Sequence, residues 1–237
     1  MRKLAPLAVA LLCAVSLAAC GSSSTSSSSA GATGTAGATG TGTGTSASSA
    51  STSSSASASS SAPQVGFEGV PLQQGPLLAP ASTTGTGKVH GITCGPSEQL
   101  VYHIHAHLAV FKSGQPYALP AGVGIPGSRA VNTNQGPIAS GGSCIYWLHT
   151  HTTDGVIHVE SPSKAIYTLG DFFDEWHQPL SGSQIASLKG AVTAYVNGKP
   201  WKKNPRAIPL LPHADIQLEI GEPAPPIVNV DWSQTQL

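Results

Sequence analysis

Leu100-Val101-Tyr102-His103-Ile104-His105-Ala106-His107-Leu108-Ala109-Val110-Phe111 is the stretch on which the fold turns. Tyr102, Ile104, Ala106 and Leu108 alternate with His103, His105 and His107, the period-two pattern of a strand whose two faces meet different surroundings. A Ser113-Gly114 turn and a short strand around residues 117–119 then close a hairpin.

Outward from this strand, the chain repeats the pattern. Residues 144–151 form one arm of a second expected hairpin, Thr152-Thr153-Asp154-Gly155 its turn and residues 156–160 its other arm. Trp147, His149 and His151 share one face of the first arm, with Tyr146 and Leu148 opposite. A four-residue loop sets His149 across from His158, and a two-residue Asp154-Gly155 loop sets His151 there. Either register keeps His158 on the histidine face.

Residues 168–176 hold Leu169, Phe172, Phe173 and Trp176 at helical spacing with acidic residues in the first turns, so one short helix is expected there. Residues 191–196 and 216–220 alternate as strands, with Asn197-Gly198 as a further hairpin turn and a Pro-rich strap at the C-terminal end. There is an internal echo: residues 108–116 and 192–200 both read strand, Gly turn, then Pro. The expected class is a β-rich α+β domain, a small mixed sheet of hairpins with one helix. Its element order suggests a β-grasp arrangement, the alternative being an open β-sandwich.

The histidines carry the chemistry. Neutral imidazole suits zinc, copper, nickel and iron, and His103, His105, His107, His149, His151 and His158 are the candidate ligands. The bland alternative is a solvated polar strand face. It is disfavoured because protonated imidazoles packed side by side repel unless a metal keeps them neutral. Six exceed the need of one ion and imply orienting histidines, proton carriers or a metal pair. Glu160 shares the face of His158 and is expected to orient an imidazole rather than to ligate. Asp154 is committed to its turn, and the isolated His90, His177 and His213 are read as structural, His213 being the best-placed outsider.

Compartment and anchoring are read from the first residues. Arg2 and Lys3 precede an apolar run ending in Leu17-Ala18-Ala19-Cys20, the form of a bacterial lipoprotein signal over residues 1–19 with Cys20 as the lipidated anchor. Residues 20–62, almost wholly Ser, Thr, Gly and Ala, are expected to be a disordered tether, spanning roughly 35 Å r.m.s. as a flexible coil. Residues 63–88 form a Gly/Pro-rich, loosely packed arm and residues 89–237 the His-rich metal-binding domain.

From residue 63 onward the chain carries eleven acidic and nine basic residues, a net charge of −2, and nothing there suggests the basic face that nucleic acid needs. Cys94 and Cys144 are the cysteines left once Cys13 and Cys20 are set aside, and in an oxidising compartment they are expected to pair. Met1 is the sole methionine, so no thioether is available to a copper site. No Gly-x-Ser-x-Gly, His-Glu-x-x-His or phosphate-loop pattern is present.

The phrases Tyr102-His103-Ile104-His105-Ala106-His107-Leu108, Tyr146-Trp147-Leu148-His149-Thr150-His151 and Gly155-Val156-Ile157-His158-Val159-Glu160-Ser161-Pro162 resemble those of uncharacterised secreted proteins of bacteria and archaea. The resemblance covers residues 94–221. It implies a shared site without naming an activity. The expectation is therefore an extracytoplasmic lipoprotein that sequesters or passes on copper, with zinc next, to a donor or acceptor protein. A metal-dependent enzyme with an open coordination position and a pH-responsive interaction module are the alternatives.

Overall fold

The computed structural model describes residues 63–81, 85 and 87–237; the expected signal, Cys20 and the tether lie outside them. Seven strands form the main sheet: β1 (Tyr102–Lys112), β2 (Gln115–Tyr117), β3 (Leu148–His149), β4 (Val156–Ser161), β5 (Val192–Val196), β6 (Lys199–Trp201) and β7 (Ala214–Ile220). Their order is β6-β5-β7-β1-β4-β3, with β2 paired to β1 beside this path. Strands β1 and β7 run parallel at the centre, and the remaining pairings are antiparallel. A central parallel pair of first and last strands, flanked by antiparallel arms and with one short helix between them in sequence, makes this a mixed α+β fold, as expected.

The helix α1 (Leu169–Glu175) starts where its capping residues dictate: the Thr168 hydroxyl accepts from the Asp171 amide, and the Asp171 carboxylate accepts from the Thr168 amide. Leu169, Phe172, Phe173 and Trp176 are fully buried, clustered with Ala106, Leu108 and Val110 of β1 and Ile157 and Val159 of β4. Each large apolar side chain so buried contributes roughly 1.5–3 kcal/mol, which fixes the helix to one face of the sheet and leaves the histidines on the other.

Both echoed turns have the same backbone. Ser113 and Gly114 sit at φ 48° and 75°, Asn197 and Gly198 at 50° and 71°, the paired positive values of a type I′ hairpin turn. The Cys94–Cys144 disulfide forms as expected and joins the segment before β1 to the segment before β3.

Three expectations need correction. The arm at residues 63–88 is not loosely packed: Val70, Leu72, Leu78 and Ala79 are buried, and the Leu78 amide donates to the Ala118 carbonyl. The arm expected over residues 144–151 is broken at Trp147. Ile145–Tyr146 pairs with Cys94–Gly95, whereas Leu148–His149 pairs with β4. The break follows from two competing partners, the disulfide-linked segment drawing one half and β4 the other. Finally, the alternative of an open β-sandwich is set aside, since the apolar face of the main sheet is covered by the helix. Two further pieces lie outside the main sheet, a hairpin of Ser128–Thr133 with Gly136–Gly141 and a meander through Leu180–Ser181, Gln184–Ile185 and Leu188–Lys189.

Candidate metal centre

Register assembles the site. Antiparallel pairing of β1 with β4 sets His103 opposite Glu160, His105 opposite His158 and His107 opposite Val156. Pairing of β3 with β4 sets His149 opposite His158, the register that the four-residue loop requires. His105, His158 and His149 thus form a row across three adjacent strands, whose spacing of about 4.8 Å is the scale of imidazole contact. The ring centroids of His105 and His158 are 4.6 Å apart, those of His149 and His158 5.3 Å, and those of His151 and His158 4.4 Å.

A loop at the sheet edge fixes the outer pair. The Thr150 hydroxyl donates to the Pro120 carbonyl and accepts from the Val123 amide, while the Ala139 amide donates to the His151 carbonyl. Gly124, at φ 72°, lies so close to this backbone that a Cβ would stand 2.2 Å from the Leu148 carbonyl oxygen. Only glycine permits the approach that holds His149 and His151 in place.

The ligating atoms fall into two overlapping groups, each with all atoms within 4.8 Å: His103, His105, His158 and Glu160, and His149, His151, His158 and Glu160. Glu160 Oε1 lies 3.1 Å from His103 Nε2 and 3.3 Å from His158 Nδ1, and Glu160 Oε2 lies 3.8 Å from His149 Nε2. His149 Nε2 and His151 Nε2 are 3.2 Å apart. His105 Nε2, His158 Nδ1 and Glu160 Oε2 are buried without a hydrogen-bond partner, so the contact of His158 Nδ1 with Glu160 is one of charge rather than an aligned hydrogen bond. Unpaired buried polar atoms are costly, and several converging on one spot are the signature of a site built for a ligand.

Neighbours set the tautomers. His149 Nδ1 faces the Tyr146 carbonyl at 2.9 Å; a carbonyl only accepts, so Nδ1 carries the hydrogen and Nε2 presents its lone pair to the cluster. His158 Nε2 is 2.9 Å from Glu68 Oε1, which leaves Nδ1 to face Glu160.

Electrostatics separate one histidine from the rest. Burial pushes His105 down to about 3 and His151 down to about 4, with the charge of His158 adding to it, and lowers His149 well below the usual range. His158 goes the other way: burial would lower it, but contact with Glu160 and Glu68 and their charges outweigh this and lift it to about 9. Burial would raise Glu68, yet His158 holds it below the ordinary carboxyl value. Asp154, buried beside the Glu68 charge, is raised to about 8. Without metal, the site is a cationic His158 in contact with Glu68 and Glu160, with neutral His105, His149 and His151 beside it.

Five of the six candidate histidines meet here, and His107 does not. Its Nε2 donates to the Asp154 carbonyl at 3.0 Å, and it belongs to neither group. Glu160, expected only to orient an imidazole, places its carboxylate among the ligating atoms of both groups. Glu68 takes the orienting role instead, and strand periodicity gave no sign of it because it lies in the arm before the sheet. Glu98, whose Oε1 is 3.5 Å from His151 Nε2, lies in the segment just before β1, which has no strand alternation to point to it. Asp154 makes its turn as expected, accepting from the Val156 amide. His90 meets Asp171 and Asp174, and His213 stacks on Trp232 with ring centroids 4.6 Å apart, so neither reaches the cluster. No family model, curated protein or solved structure matches the chain. Fold and site define a β-rich α+β domain with a buried histidine and carboxylate cluster able to coordinate a metal ion.

Proposed function

We propose that this protein is an extracytoplasmic lipoprotein that binds a transition metal, copper ahead of zinc, and sequesters it or passes it to a partner protein. The observation that carries the reading is the convergence of imidazole nitrogens and the Glu160 carboxylate within 4.8 Å, several of them buried without partners. Imidazole with one carboxylate suits both ions, and the affinity order for divalent metals puts copper first. The lipoprotein form of residues 1–20 and the Cys94–Cys144 bridge support an exported site, where a tether on Cys20 would hold the domain near a membrane.

Exposure favours exchange over burial of the ion. His149 is fully buried, while 39% of the His103 side chain and 25% of the His151 side chain face solvent, so a partner has access from both edges. An enzyme would need an open coordination position facing a substrate-sized cleft. A cavity of about 490 Å³ bounded by Leu72, Ala109, Phe111 and Val230 touches His107 and none of the clustered residues.

The test is elemental analysis of the protein isolated from its own membrane fraction, beside His105→Ala and His149→Ala. Stoichiometric copper or zinc in the first and a lower metal content in each variant is the expected result. A protein that is metal-free as isolated and takes up neither ion on titration would sink the proposal.

A further inference from the structure

We infer that the cluster holds two metal ions bridged by the Glu160 carboxylate. The inference rests on the metal-binding reading above and adds a count and a geometry to it.

Donor spacing divides the cluster into two sets that one ion cannot use together. Metal–ligand bonds of about 2.0–2.1 Å put any two donors of one tetrahedral ion about 3.3 Å apart, and donors of one ion can never be more than about 4.2 Å apart. His103 Nε2 and His158 Nδ1 lie 3.1 and 3.3 Å from Glu160 Oε1, and His149 Nε2 lies 3.2 Å from His151 Nε2, each close to a tetrahedral edge. His103 and His105 on one side and His149 and His151 on the other do not fall together within 4.8 Å, so one ion cannot use both ends.

The two carboxylate oxygens divide the donors. Oε1 faces His103 and His158, and Oε2, buried and unpartnered, faces His149. His158 belongs to the first ion, because its Nε2 is taken by Glu68 and its Nδ1 is the atom beside Oε1. The first ion then has four donors, from His103, His105, His158 and Glu160 Oε1, all within 4.8 Å of one another. The second has His149, His151 and Glu160 Oε2, with a position left toward the solvent-facing edge, where Glu98 lies 3.5 Å from His151. A carboxylate bridge sets two ions about 3.5–4 Å apart, the usual separation in two-metal sites.

The experiment is titration of the full chain with copper(II), counting bound ions by equilibrium dialysis and following them by electron paramagnetic resonance. Two equivalents are expected, the second bringing spin coupling with a half-field transition. Glu160→Gln should abolish the coupling. His103→Ala and His151→Ala, at the two cluster histidines that face solvent in part, should each lose one equivalent and keep the other. Saturation at one equivalent, two uncoupled equivalents, or coupling that survives in Glu160→Gln would overturn the bridge while leaving metal binding intact. Zero uptake would overturn the proposed function itself.

Discussion

Strands β1 and β4 carry two opposite chemistries on their two faces. On one, Ala106, Leu108, Ile157 and Val159 pack under Phe172, Phe173 and Trp176; on the other, His105, His158 and Glu160 are equally buried but leave polar atoms without partners. The same backbone ladder supports both. The apolar face holds the fold together by removing surface from water, whereas the histidine face lowers stability in exchange for a binding site, so substitutions on the two should have opposite consequences.

The largest effect belongs to the apolar face. Trp176→Ala should destabilise the protein by about 3–5 kcal/mol, read from urea denaturation, because the fully buried indole leaves a cavity and frees the Pro80 carbonyl to which its Nε1 donates. A loss below about 1 kcal/mol would mean that the helix does not anchor the sheet.

Acid should act on the other face. His105, His149 and His151 have folded values below 6.5, so their stability contribution is present above that pH and lost as pH falls toward 4. Asp154, raised to about 8, offsets one of these three protons. At about 1.4 kcal/mol per proton and pH unit, the cluster alone costs the metal-free protein up to about 3 kcal/mol per pH unit in that window. His158, raised to about 9, contributes fully below 6.5 and loses its contribution as pH rises through 9. Thermal melts of metal-free protein should therefore peak near pH 6.5. A flat profile from pH 4 to 9 would refute the burial argument.

Glu68→Gln sharpens the contrast further. Removing the charge that orients His158 should weaken copper binding about 10–100-fold, read by competition with a chelator, and lower the urea midpoint of the metal-free protein, because that charge helps hold the buried His158 cationic. Unchanged affinity would show that the arm only packs. The smallest effect is expected for His105→Leu in metal-free protein, where removing an unpartnered buried nitrogen should leave stability within about 1 kcal/mol of the parent or raise it. A loss of several kcal/mol would mean that the histidine face holds the fold together as well.

Much of the sheet was legible because alternation is a local property. His103 and His105 on one strand face, His158 on the same face as His149 and His151, and the helix over residues 168–176 could all be read within a dozen residues. His107 satisfies the same alternation, yet a single carbonyl at Asp154 takes its Nε2, and no periodicity shows where a turn directs its carbonyl. Glu68 and the Pro120–Gly124 contacts that fix His149 lie on segments without repeating pattern, where strand rules are silent.

By itself, then, the sequence determined the class of fold, the disulfide and which face bears imidazoles, because strand parity and turn chemistry act between near neighbours. Tertiary structure alone decided that Glu160 stands among the donors, that His107 is excluded and that Glu68 reaches His158 from ninety residues away. Those outcomes depend on distances of a few ångströms between separate segments, which are set only when the whole domain packs.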